Sequence, residues 1–62
     1  MKQKDLIRHL KKHGCIFYKE SANHSQYINL KNSSVKVPVP RHKEISDFLS
    51  IKICKELGIP EP

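Results

Sequence analysis

The reading of the fold starts from Val35-Lys36-Val37-Pro38-Val39-Pro40. Three valines alternate with Lys36 and Pro38, which is the period of a strand with one face inward and one face wet. Pro38 has no N–H to give to a ladder, so this strand belongs on a sheet edge. Pro40 ends it, and Arg41-His42-Lys43 forms a basic link to the next element.

Working upstream, Lys31-Asn32-Ser33-Ser34 reads as a hairpin connection. His24 to Leu30 reads as a second strand. Ile28 and Leu30 share a face with His24 and Gln26, and Tyr27 takes the other, so the pattern leaves open which face is inward. Glu20-Ser21-Ala22-Asn23 is small and polar and predicts a turn. Cys15 to Lys19, with Ile16, Phe17 and Tyr18, predicts a first strand. Residues 3–13 predict a helix, with Leu6, Ile7 and Leu10 on one face and Gly14 as the left-handed residue that follows.

Downstream, Ile45, Phe48, Leu49, Ile53 and Leu57 recur at helical spacing. Ser46 is a good N-cap, and Gly58 followed by Pro60 is a strong stop, so the helix is expected at about 46–57. Each helix carries one apolar stripe, so both should cover the same face of the sheet. The expected class is α+β: helix, three-stranded antiparallel meander, helix.

Sixty-two residues make one domain, 1–62. A chain this short buries only about 60% of its unfolded surface, so any site is shallow and its substrate large. Two cysteines are too few for a disulfide framework, and four scattered histidines complete no zinc pattern. No cofactor is expected. Met1 to Asp5 lacks the apolar run of a signal peptide, and no stretch is long and apolar enough to span a membrane. A cytoplasmic location is expected.

The formal charge is +6 and uneven. Residues 1–43 carry ten Lys/Arg against two acids, and residues 44–62 carry two Lys against four acids. A basic surface of this density on a small domain attracts polyanions, and nucleic acid is the expected partner.

His24 follows the small polar turn and opens a strand. Imidazole can give and take a proton at neutral pH. RNA carries its own nucleophile, the 2′-hydroxyl, so a site that cleaves it needs proton transfer and cations rather than a metal. Taken alone, a single histidine is equally a surface residue without a role. His9 and His13 share a helix face at i, i+4 but have no acidic third ligand near in sequence. Cys15 and Cys54 read as small buried hydrophobes. Tyr18 and Tyr27 could stack a base or pack the sheet.

The order and spacing of several elements together resemble a family, the HicA toxins of HicA/HicB toxin–antitoxin pairs. The resemblance runs from Leu6 to Ile59. It is carried by the Leu-Ile…Leu helix closing on Gly14, by Lys19, and by His24 with Tyr27 three residues on. It continues through Val37, Val39-Pro40-Arg41-His42, Lys43-Glu44-Ile45 and the helix Leu49…Ile53…Leu57-Gly58-Ile59.

The resemblance implies a double-stranded-RNA-binding-like α-β-β-β-α fold, cleavage of messenger RNA without a metal, and inhibition by a HicB-like antitoxin. The family's catalytic histidine falls on His24. Lys19 and Asn23 would assist it, and Lys11, Lys12, Arg41 and Lys43 would hold the RNA backbone. The chain departs from the family's usual Gly-Ser before that histidine, having Ala22-Asn23. Glycine would supply there a backbone angle that alanine adopts only at a cost. Lys19 stands where arginine is usual, keeping the charge without the two-pronged grip. The alternative expectation is a non-catalytic RNA-binding module of the same fold.

Overall fold

The structure, a computed structural model, describes residues 1–62, the side chain of Ser33 aside. The elements follow in the order α1 (Gln3–Lys12), β1 (Cys15–Ser21), β2 (His24–Asn29), β3 (Asn32–Pro40) and α2 (Asp47–Leu57). The strands form one antiparallel sheet in the order β1-β2-β3. β3 is an edge, as Pro38 demands.

Both helices lie on one face. Leu6 and Leu10 of α1 and Ile53, Cys54 and Leu57 of α2 share a core with Cys15, Tyr27, Val37 and Val39 of the sheet. Ile45 and Ile59 close it at the ends of α2. Val37 and Val39 are buried while Lys36 and Pro38 are exposed, so the period-two pattern of β3 does face the helices. Tyr27 pairs with Val37 and is also buried. The parity of β2 is thereby settled. Tyr27 and Asn29 point to the helices, and His24, Gln26 and Ile28 point to the open face.

The helix ends follow local chemistry. The Ser46 hydroxyl accepts from the Leu49 N–H at 3.2 Å. Gly58 ends α2 with φ +75°, a left-handed angle that a side chain would resist. The buried positions of α2 are Ser50, Ile53, Cys54 and Leu57. Phe48 was expected on this stripe but is 80% exposed. It stands two residues before Ser50, about 200° around the helix from it, so it faces solvent.

The second hairpin is tighter than expected. Its connection is Leu30-Lys31, and Asn32 already belongs to β3. Asn29 explains the early turn. Its Oδ1 accepts from the Lys31 N–H at 2.9 Å, and its Nδ2 donates to the Leu57 carbonyl at 2.8 Å. One buried side chain closes the turn and ties the sheet to the last turn of α2. The first hairpin is also tighter, because β1 runs on to Ser21 and only Ala22 and Asn23 make the turn. No helix is long and apolar enough to cross a membrane.

Candidate functional site

The turn before His24 is held in an unusual way. Ala22 has φ +46°, in the left-handed region where glycine is at home. The Arg41 guanidinium lies against it. Its Nη2 donates to the Ala22 carbonyl at 2.6 Å and approaches the His24 carbonyl at 3.4 Å. Its Nη1 is 3.5 Å from Oε2 of Glu20. Arg41 thus reaches both sides of the β1–β2 turn from the end of β3. The strained residue and the residue that steadies it are 19 positions apart.

His24 is exposed on the open face, in the end row of the sheet between Ser21 of β1 and Pro40 of β3. The next row on that face is Lys19, Gln26 and Pro38. Lys19 is therefore one pleat from His24, roughly 7 Å along the strand. Asn23, Arg41 and His42 line a shallow depression of about 280 Å³ beside the turn. His42 is exposed, so a second histidine stands beside the turn that precedes His24.

The first strand reaches this face through a bulge. Phe17 pairs with Tyr27, but Lys19 pairs with Gln26, which leaves Tyr18 as an extra residue. Strand alternation before the bulge puts Tyr18 on the face opposite Tyr27, and the pairing after it puts Lys19 on that same face. Two successive side chains are thus presented together. Tyr18 is 44% exposed, and Nζ of Lys36 lies 4.7 Å from its ring centre.

The basic residues expected to bind RNA are not all in one place. Lys19, Asn23, Arg41 and Lys43 cluster around the His24 end of the sheet or the link that leaves it. Lys43 shares a groove of about 480 Å³ with Lys2, Gln3, Lys4 and Glu44, where the start of α1 meets the link. The Gln3 N–H donates to the Lys43 carbonyl at 2.9 Å, which fixes this junction. Lys11 and Lys12 are exposed at the far end of α1. They precede the first residue of β1, whereas His24 pairs with the last one, so roughly 20 Å of strand separates them from it.

Three residues of this surface escaped the sequence reading. Lys2 and Lys4 join Lys43 only through a contact some 40 residues away in the chain. Lys36 carried a signal that could have found it, because it alternates with valines that face inward.

The remaining candidates have structural partners. Cys15 and Cys54 are free and buried, and burial pushes both thiols upward. His9 Nε2 donates to the Pro60 carbonyl at 2.8 Å, and its ring lies 4.6 Å from that of His13. Tyr27 belongs to the core.

The sequence model of a family described as "HicA toxin of bacterial toxin-antitoxin" matches residues 4–59. Comparison with curated proteins and with solved structures gave no match.

Proposed function

The chain belongs to the HicA toxin family of bacterial toxin–antitoxin systems, and from this premise we propose that it is an endoribonuclease that cleaves messenger RNA with His24. The observation that carries the reading is the placement of His24. It is exposed at the end of the open face, one pleat from Lys19, behind a turn that Arg41 holds.

The chemistry follows from RNA itself. Nε2 or Nδ1 of His24 takes the proton of the 2′-hydroxyl as its oxygen attacks the neighbouring phosphorus. The bond from phosphorus to the 5′-oxygen breaks as that oxygen takes a proton. The products are a 2′,3′-cyclic phosphate and a free 5′-hydroxyl. His42, on the wall of the depression beside Asn23, supplies the second proton. Lys19 and Asn23 stabilise the charge that gathers on the phosphoryl oxygens. Arg41 and Lys43 hold the backbone near the cut, and Lys11 and Lys12 attract its outlying parts.

The Ala22-Asn23 pair fits a working site. Ala22 adopts the left-handed angle that the family's glycine would supply, and Arg41 holds it there. A HicB-like antitoxin silences the enzyme by covering the open face around His24. The whole system is expected to operate in the cytoplasm.

The test is His24→Ala. The purified variant should fold as the parent does, because the side chain is exposed, and it should leave RNA intact in EDTA. Cleavage at the parent rate by that variant would overturn the assignment.

A further inference from the structure

The open face carries a feature that proton transfer does not use. Tyr18 is the extra residue of the β1 bulge, and it stands beside Lys19 and across from Lys36. Nζ of Lys36 is 4.7 Å and Nζ of Lys19 is 6.0 Å from the ring centre. Ile16, 41% exposed, lies in the row beyond, paired with Ile28. Lys36 thus lies over the ring and Lys19 stands further from it, both on long side chains, while Tyr18 keeps 44% of its surface exposed.

We propose that Tyr18, with Lys19 and Lys36, forms a base-stacking subsite for single-stranded RNA on the face that carries His24. Any base can stack on a tyrosine ring, and such stacking tolerates sequence. The two lysines suit the phosphates on either side of a stacked nucleotide. Duplex RNA keeps its bases inside the stack, so it has none to offer the ring.

The distances suit one strand bound at both places. Gln26 and Ile28 lie two and four residues from His24 along β2, and Tyr18 projects between their rows. That puts the ring roughly 7–13 Å from His24. A nucleotide near the scissile bond, on one side of it, would reach the ring. The bulge is what provides the residue, and bulges commonly re-aim side chains at sites of function.

A protein partner is the competing occupant of an exposed aromatic. RNA is favoured because two lysines stand against the ring and the chain carries a net charge of +6. The subsite rests on the ribonuclease reading for its substrate, and its test separates the two.

The probe is a fluorescein-labelled eight-nucleotide single-stranded RNA of mixed sequence. It is titrated into the His24→Ala protein, which holds it uncut. Adding Tyr18→Leu should weaken binding about tenfold, whereas Tyr18→Phe should leave it within about twofold. A duplex of the same sequence should bind the Leu and parent proteins alike. Lys36→Gln should flatten the dependence of log affinity on log salt by about 0.7. In the His24 background, Tyr18→Leu should raise KM more than it lowers kcat.

Equal single-strand affinity for the Tyr18→Leu and parent proteins would overturn the subsite. So would an equal loss on duplex, or a loss of antitoxin binding with RNA affinity unchanged. If Tyr18→Leu has no effect while His24→Ala abolishes cleavage, the subsite fails and the ribonuclease reading stands. If His24→Ala cleaves normally while Tyr18→Leu loses affinity, the reverse holds.

Discussion

The Arg41 guanidinium donates to the Ala22 carbonyl at 2.6 Å and so holds the turn that sets His24 in place. It contacts Glu20 on β1, Ala22 in the turn and His24 on β2, and a planar fork suits all three at once. Arg41→Lys keeps the charge and loses the second prong. We expect kcat to fall at least about tenfold with a smaller rise in KM, since an ångström of misplacement is costly in rate. Melting should shift little, because these contacts are largely exposed. Unchanged kcat in steady-state cleavage would show that the turn keeps its shape without the fork.

Ala22 carries strain that glycine would relieve. A left-handed angle costs an L-residue roughly 1–2 kcal/mol, and glycine returns part of that gain as extra freedom when unfolded. Ala22→Gly should therefore stabilise the fold by about 0.5–1 kcal/mol. In a domain of this size that is a rise of about 4 °C in Tm. Ala22→Val should lower Tm, because a branched side chain tolerates the angle least. Thermal melts by circular dichroism decide both.

If His42 delivers the proton to the leaving oxygen, removing it should slow the chemical step. His42→Ala should lose about a hundredfold or more in kcat, with a much smaller change in KM. An unaltered kcat in steady-state cleavage would return the second proton to solvent.

Burial raises the Cys15 and Cys54 thiols and the Tyr27 phenol, all three on the helix side of the sheet. For Cys54, burial is joined by the charges of Cys15 and Glu61. The sign follows from which state binds protons. Below the ordinary thiol range both folded and unfolded chains are protonated, and stability is full. Above it the unfolded chain loses protons that the folded chain retains, so stability falls as pH rises. The urea midpoint should hold steady near neutrality and drop by about pH 10, with a shallower drop in Cys54→Ala. Iodoacetamide should label neither thiol until the chain unfolds.

The sequence shows the frame of this fold because its signals are local. The valines of β3, the Ser46 cap and the Gly58 stop each act through neighbours in the chain. The facing of β2 was not local. Tyr27 on one side and Ile28 with Leu30 on the other are equally apolar, and the partner strand decides between them. Tyr27 is buried opposite Val37, and Asn29 goes inward because it has the Leu57 carbonyl to meet. Phe48 misled for the same reason: helical spacing admits it, and only the direction of the buried stripe excludes it. At the candidate site, the left-handed need at residue 22 was legible from the family resemblance, which also nominates His24. The Arg41 tether, the Lys2–Lys4–Lys43 groove and the bulge at Tyr18 were not, because each is made by strands or segments meeting across the fold.

The bulge has a further consequence for how this surface can change. Pairing is regular from Cys15 to Phe17 and again from Lys19 to Ser21, so the irregularity cancels itself. Residue 18 is an insertion that shifts no other side chain across the sheet. Its identity, and even its presence, can vary while Lys19 and His24 keep the same side. The domain thus has one position at which what it shows to a ligand is uncoupled from how it folds.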